Sequence, residues 1–281
     1  MANALPSPAI QLHNGVLIPQ FGYGTYKVRA EDAYRAVRDA LEVGYRHIDT
    51  AEMYGNEAQV GAAIADSGLA RDEVFITSKL NNPYHEPQAA RDAFAKTLDD
   101  LRIDQLDLFL IHWPMAQTTN YVETWQTMLE FEADGRSRAV GTSNFQEHHL
   151  RAIIDATGVA PALNQIELHP YLAQRQLVQL HAELGIVTAS WSPLARGALL
   201  SDPVVLDLAQ EAGRSAAQVV IRWHLQRGLV VIPKSTHRER MIQNADVFDF
   251  ELSAQQMASI DSLDQNRRVG SHPDRVELGD R

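Results

Sequence analysis

Short runs of apolar and β-branched residues alternate along the chain with longer stretches in which apolar residues recur at helical spacing. Strand-type runs fall at residues 21–26, 47–50, 74–79, 106–112, 138–143, 163–168, 187–191 and 229–232. Helical patterns separate them: residues 31–42, a segment through Glu57-Ala58-Gln59-Val60, and one opening at Pro87 with Ala90, Phe94, Leu98 and Leu101 on one face. Further helices run through residues 122–125, 150–154 and 175–184, the last closed by Gly185. Asn56 is placed to cap the helix at Glu57, and Ser215 to Gln218 has capping-box form with a stop at Gly228. An extra helix is expected near residues 204–211, and Ile10 to Ile18 reads as a hairpin turning at Asn14-Gly15.

Eight such alternations in roughly 250 residues match a closed (β/α)8 TIM barrel of the α/β class better than an open doubly wound sheet. The expected organisation is one barrel domain over residues 1–281, with a hairpin region at 1–19, extra helices after strand seven and at the C-terminus, and a tail at 262–281. A Rossmann sheet would carry G-x-G-x-x-G at its first strand, whereas Gly22-Tyr23-Gly24 lacks the third glycine, and a P-loop is absent.

Apolar residues make up 45% of the chain and charged residues 22%, ordinary for a globular protein. With 0 cysteines there is no disulfide, thiolate metal site or cysteine nucleophile, which suits a reducing cytosol. The N-terminal stretch has neither a basic n-region nor an apolar h-region, and no apolar run approaches a membrane span. A formal charge of −11 repels phosphate backbones, so nucleic acid is not an expected partner. Among the 11 histidines no H-E-x-x-H occurs, and His148 and His149, adjacent on a helix, should face different ways, so no metal is expected. The expectation is a cytoplasmic protein, monomeric, without membrane or nucleic-acid partners.

Three successive strand-type runs end on ionisable residues: Asp49, Lys79 and His112. In a barrel the C-terminal strand ends converge on one face, where Tyr54, five residues beyond Asp49, would join them. Taken alone, Asp49 and Tyr54 read as a strand end and a packed loop aromatic; the recurrence on neighbouring strands changes that reading. A free phenol titrates near 10, too high for a good proton donor at neutral pH. A lysine ammonium about 4 Å away, at an effective dielectric near 20, would favour the phenolate by at most about 4 kcal/mol. Asp49 would keep Lys79 charged while cancelling part of that effect. The imidazole of His112 could hydrogen-bond a substrate oxygen and orient it toward Tyr54. Protonating such an oxygen makes sense if hydride arrives at carbon, and no side chain delivers hydride, so a cofactor is implied.

The stretch GYRHIDTAEMYGNEAQVG at 44–61, the strand end at Lys79, LIHWP at 110–114, Gly141-Thr142-Ser143-Asn144-Phe145 and Ile232-Pro233-Lys234-Ser235 together resemble the aldo-keto reductases, in order and over nearly the whole chain. The resemblance implies a barrel enzyme that reduces aldehydes and ketones with NADPH, oxidised to NADP+. It implies Tyr54 as general acid, Lys79 and Asp49 as its tuning pair, and His112 as the group that positions the carbonyl. It sets the nicotinamide carboxamide against Ser143, Asn144 and Gln165 and its ring on Trp191, with Ser192, Pro193 and Leu194 following. Lys234, Ser235, Thr236 and Arg240 match positions that hold the 2′-phosphate, with Gln243 and Asn244 near the adenine. Gly24 and Thr25 match residues near the cofactor, and Tyr26 and Trp113 the substrate wall. Lys234 alone would read as a solvated loop lysine, and Trp191 alone as a core aromatic.

Asn81 stands where many members carry tryptophan, Tyr26 replaces a frequent tryptophan and Thr142 a usual aliphatic residue. With its short loop after His112 and short tail, the chain is similar to the compact bacterial branch that includes the 2,5-diketogluconate reductases. That similarity implies an open cleft for small or polar carbonyl compounds. Two other readings use the same scaffold: a cofactor-sensing regulatory subunit, which should carry a partner-binding extension, and a sugar-phosphate isomerase, which should carry a Gly-rich phosphate loop where Pro233-Lys234-Ser235 stands.

Overall fold

The computed structural model describes residues 3–276. Strands β1 (Ala9–Gln11) and β2 (Leu17–Pro19) form the expected antiparallel hairpin, pairing Ile10 with Ile18. Its turn differs in detail from a two-residue Asn-Gly turn. Leu12 N–H donates to Val16 O at 2.8 Å across three residues, and only Gly15 takes a left-handed φ, at 88°. Leu12 and Ile18 are buried against Phe75, Leu108, Ala139 and Leu163, residues at the N-terminal ends of the barrel strands. The hairpin therefore plugs the end of the barrel opposite the strand C-termini.

Strands β3 (Tyr23–Gly24), β4 (His47–Asp49), β5 (Phe75–Leu80), β6 (Leu108–Ile111), β7 (Val140–Ser143), β8 (Leu163–Glu167), β9 (Val187–Trp191) and β10 (Val230–Val231) pair in parallel, in chain order. A parallel bridge from Phe21 to Val231 closes the ring, helped by Gly24 N–H donating to Pro233 O at 3.1 Å. Strands β3 and β10 are shorter than the apolar runs that announce them. Proline at 233 has no N–H to continue the ladder, so β10 stops where the chemistry-bearing loop begins.

Helices α1 (Ala30–Val43), α2 (Glu57–Ala65), α3 (Pro87–Leu101), α4 (Tyr121–Ala133), α5 (Glu147–Thr157), α6 (Arg175–Glu183), α7 (Pro203–Ala212), α8 (Ala216–Gln226), α9 (Arg238–Ala245) and α10 (Ala254–Asp261) complete the described elements. Of these, α7 and α10 are the additions expected after strand seven and near the C-terminus; the others alternate with the barrel strands. The main core lies between strands and helices, joining Ile48, Ile76, Phe109 and Ile166 to Val37, Phe94, Trp125 and Trp223. The capping box of α8 is present, with Ser215 N–H donating to Gln218 Oε1 at 2.9 Å.

Asn56 departs from its expected role. It occupies the N-cap of α2 without a side-chain cap bond, and its buried amide instead donates to Thr25 O (3.2 Å) and Val28 O (2.9 Å). Thr50 Oγ1 donates to its Oδ1 at 3.0 Å. Asn56 thus ties the loop after β3 to the loop after β4: buried, its amide N–H2 must find acceptors, and the carbonyls of Thr25 and Val28 supply them.

Gly141 marks a tight backbone approach: a Cβ there would overlap Leu163 O and stand 2.8 Å from Leu110 Cδ2. The Gly141→Ala variant is expected to lose about 1–3 kcal/mol by overpacking, read as a lower urea midpoint at unchanged m-value. Among the described residues no helix is long and apolar enough to cross a membrane. The expected hairpin and tail regions extend to residues 1–2 and 277–281, which lie outside the described residues.

Candidate active site

The C-terminal ends of β4, β5 and β6 bring three ionisable groups to one rim. Asp49 closes β4, Lys79 lies near the end of β5, and His112 directly follows β6. Tyr54 ends a single helical turn, Glu52–Tyr54, in the loop between β4 and α2. Lys79 is 0% exposed. Its Nζ donates to Asp49 Oδ1 at 2.6 Å and to Thr50 O at 2.8 Å, and lies 5.4 Å from the centre of the Tyr54 ring. Gln165 Nε2 donates to Asp49 Oδ2 at 2.7 Å, so both carboxylate oxygens are engaged. The Tyr54 ring stands 5.7 Å from His112 and 5.3 Å from Tyr26. Asp49, Tyr54, Lys79 and His112 are gathered as the strand ends require.

The protonation states differ in one respect from the expectation. Burial, then the charge of Asp49 and the neighbouring Tyr26, pushes the Tyr54 phenol well above its ordinary range rather than below it. The physical reason is visible in the contacts of Lys79. Its ammonium is hydrogen-bonded to Asp49 and Thr50 O and lies 5.4 Å from the centre of the tyrosine ring, while burial and the nearby Asp49 charge both oppose ionisation of the phenol. Lys79 is lowered, chiefly by burial, while Asp49 opposes the shift. His112 is pushed well below its usual value by burial, with the Lys79 charge and His85 adding to it. The site therefore holds a protonated phenol beside a neutral imidazole whose Nδ1 has no hydrogen-bond partner among the described residues.

The residues expected around a nicotinamide form one connected set. Trp191 Nε1 donates to Asn144 Oδ1 at 2.8 Å, Asn144 Nδ2 donates to His112 O at 3.0 Å, and Ser143 Oγ donates to Gln165 O at 2.9 Å. Asn144 takes a left-handed φ of 66°, which turns its amide into the barrel mouth. Trp191 is partly exposed, with Trp113 set edge-on at 6.3 Å. Ser192, Pro193 and Leu194 lead into a kinked turn in which Ser192, Ala195 and Arg196 all have positive φ. Gly24 packs so closely that a Cβ would lie 3.0 Å from Ile232 Cγ2, and Thr25 Oγ1 donates to Asp49 O at 3.2 Å.

Lys234 is exposed past the end of β10, and Arg240 is exposed in the first turn of α9. Among the described residues neither forms an ion pair, whereas nearby Arg238 is committed to Asp39 and Glu42. Two uncommitted cations beside a helix N-terminus fit a phosphate group. Ser235 differs: it is buried, and its hydroxyl is engaged within its own loop, accepting from His237 N–H at 3.0 Å. Thr236 is half-buried, Gln243 exposed and Asn244 buried.

Two groups were not singled out by sequence reasoning. Thr50 contributes a backbone carbonyl to Lys79. Glu167, at the end of β8, is buried and binds tail backbone at Val269 and Gly270. A carboxylate at the end of a strand that the barrel must bury is the signal that could have marked it, since a buried charge requires partners. His148 and His149 do not diverge as expected. Their rings stand 3.9 Å apart, and their Nε2 atoms lie 3.3 and 3.6 Å from Asp274 Oδ1. The geometry brings three donor atoms within 4.8 Å of one another. However, His149 Nδ1 accepts the Gln146 N–H at 3.1 Å, so the neutral ring carries its proton on Nε2, facing the carboxylate. The cluster reads as an anchor for the tail at the positive end of α5.

A parallel barrel with an acid, an amine, a phenol and an imidazole on its C-terminal rim defines a barrel oxidoreductase acting on carbonyl groups. The chain belongs to the aldo/keto reductase family, whose family model matches residues 19–265. It is 51% identical over 267 residues to an aldo-keto reductase of Mycobacterium sp. (strain KMS), covering 95% of this chain and 97% of the relative. It is 46% identical to the methylglyoxal reductase DkgA of Escherichia coli (strain K12), covering 94% and 96%. A crystal structure of a Gox0644 mutant in complex with NADPH superposes with a TM-score of 0.93 at 41% identity, covering 97% and 99%. The chain is an NADPH-dependent oxidoreductase that reduces aldehydes and ketones to alcohols.

Proposed function

We propose that the chain reduces small, polar carbonyl compounds, with α-oxo aldehydes such as methylglyoxal as the substrate class, at the rim formed by Asp49, Tyr54, Lys79 and His112. The observation that carries this reading is the fully buried Lys79–Asp49 pair set beneath a phenol whose hydroxyl has no protein partner among the described residues. NADPH, when bound, supplies the hydride. The neutral His112 imidazole donates a hydrogen bond to the carbonyl oxygen and turns it toward Tyr54. Tyr54 gives its proton to that oxygen, and the ammonium of Lys79 stabilises the phenolate left behind. Asp49, held by Gln165, keeps Lys79 charged in its buried setting.

Ser143, Asn144 and Gln165 hold the carboxamide and Trp191 supports the ring, while Gly24 and Thr25 leave room alongside. Ser192, Pro193 and Leu194 line the bridge to the adenosine half, and Lys234, Thr236 and Arg240 take the 2′-phosphate. Gln243 and Asn244 flank the adenine; Ser235 shapes the loop. Tyr26 and Trp113 wall the substrate side. The whole chain works as one barrel unit, as a monomer in the cytoplasm; the hairpin strands and residues 262–276 both pack on the barrel.

Consumption of NADPH measured against methylglyoxal, simple aldehydes, diketones and keto-sugars tests the proposal: methylglyoxal should be among the best substrates, and absence of turnover with all of them would sink it. A second measurement bears on the phosphate site. Replacing Lys234→Ala and Arg240→Ala together should weaken NADPH at least about tenfold, the loss of one or two charge-assisted bonds, while NADH affinity stays within about twofold. Equal weakening of both nucleotides would remove the 2′-phosphate role.

A further inference from the structure

Residues 262–276 cross the C-terminal mouth of the barrel and are fastened at three places. Tyr171 O accepts from Gln265 N–H at 3.1 Å and from Arg267 N–H at 3.0 Å. Further on, the Asp274 carboxylate rests on the His148 and His149 rings, and Gln117 Nε2 donates to Asp274 O at 2.7 Å. The middle fastening is the one that reaches into the barrel. Glu167 Oε1 accepts from Val269 N–H at 2.5 Å and Oε2 from Gly270 N–H at 3.1 Å, across 102 and 103 residues of chain. His169 Nε2 donates to Oε1 at 2.9 Å, and Arg268 Nη1 stands 3.8 Å from Oε2.

Glu167 is 0% exposed, and burial alone would discourage its charge. The bonds from His169, Val269 and Gly270 outweigh that cost and hold its carboxyl below the usual value. A charge kept in such a place needs all of its donors, so the carboxylate and the tail backbone fix one another. Gly270 then meets Trp191. A Cβ at 270 would overlap the outer edge of the indole and lie 2.9 Å from Glu167 Oε2. Trp191 is held on its other side by Asn144 Oδ1. The indole is therefore gripped between an amide from the β7 loop and bare backbone from the tail.

We propose that Glu167 is a positioning residue for the substrate pocket: by clamping Val269 and Gly270 it holds residues 268–270 as a strap that fixes Trp191 and limits the size of carbonyl compound admitted. This rests on the reading that the cleft beside Tyr54 is the active site. Glu167 touches neither that cleft's reacting groups nor the expected cofactor residues except through this strap and the strand it ends.

The test uses the full chain and two variants, Glu167→Gln and Gly270→Ala. The glutamine has nearly the same shape but turns its amide N–H2 toward one of the two backbone donors, so one clamp bond becomes a donor–donor clash. The alanine loosens the strap from the tail side by pressing on the Trp191 edge and Glu167 Oε2 while keeping the carboxylate itself, which keeps the test open should Glu167→Gln fold poorly. In both, tryptic cleavage after Arg267 and Arg268 should speed up about tenfold, the loss expected for a charge-assisted bond. KM for methylglyoxal should rise about tenfold with kcat within about twofold. The preference for phenylglyoxal over methylglyoxal, as a ratio of kcat/KM, should shift toward the bulkier compound. Unchanged cleavage in both variants overturns the clamp; faster cleavage with unchanged KM and preference overturns its role in the pocket. A wild-type protein that reduces no carbonyl compound sinks the active-site reading and the pocket role with it, while the cleavage rates still report on the clamp by themselves.

Discussion

The Tyr54→Phe variant is expected to lose about 10²–10⁴-fold in kcat, the usual contribution of a positioned general acid, while its NADPH affinity stays within about twofold. The substitution keeps the ring, so the contacts with Tyr26 and His112 at 5.3 and 5.7 Å survive. It removes only a hydroxyl that bonds to no described protein group, so stability should change little. The remaining barrel still binds both reactants, but nothing in it offers a proton to the carbonyl oxygen. His112 is neutral and Lys79 is tied to Asp49 and Thr50 O. Steady-state turnover at saturating NADPH, beside a fluorescence titration of the nucleotide, separates the two effects. Wild-type turnover in this variant would remove Tyr54 from the chemistry.

Acidification from pH 7 toward pH 4 is expected to unfold the protein cooperatively. Burial lowers His47, His85 and His181 to about 4 and His224 to about 3. Each stays neutral in the folded chain while the unfolded chain takes up a proton below about 6.5. Their stabilisation is thus complete above that value and is lost as pH falls toward 4, roughly 3 kcal/mol for each ring. Glu57 runs the other way. Burial raises it to about 7, against the bonds from Ser78 and Thr97, so it stays protonated in the fold and contributes most below its unfolded value. It offsets about one of these four histidines, leaving an uptake of at least about three protons on unfolding around pH 5, to which His112 adds in the same direction. That corresponds to a slope of about 4 kcal/mol per pH unit, against a total stability on the order of 5–15 kcal/mol. Urea titrations at pH 7, 6 and 5 measure it directly, and a stability that stays flat over that range would contradict the assignment of buried neutral rings.

Asp49, Lys79 and His112 were legible in the sequence because each interrupts an apolar run at its end, and the count of such runs implied a closed barrel that would bring them together. Asn56 was read as a cap from spacing alone, and the spacing could not reveal that Thr25 and Val28, far along the chain, would compete for its amide. The Tyr54 phenol was misjudged for a related reason. Proximity to Lys79 was foreseeable, but which acceptors would claim the ammonium, and how dry the ring's surroundings would be, depend on three loops at once. Lys234 and Arg240 were placed by their position after the last strand; that Arg238 is committed elsewhere while they are not emerges only from packing against α1. Glu167 and Asp274 escaped notice because each pairs the barrel with a tail that has no periodic pattern of its own, Glu167 from the barrel side and Asp274 from the tail side.

The joint between the first and last barrel strands has a consequence for how the molecule is made. Phe21 bridges Val231, Gly24 N–H reaches Pro233 O, and Tyr23 Oη donates to Ser235 O at 2.6 Å. These contacts join residues 21–24 to residues 231–235, so the joint cannot form until the last barrel strand has been made. A chain emerging from the ribosome can assemble Asp49 with Lys79 early, yet the groove between residues 24 and 234 does not exist until synthesis is almost over. With the nucleotide placed as proposed, its capture would be a late event in biogenesis, and a bound dinucleotide touching both sides of that joint would act as its rivet.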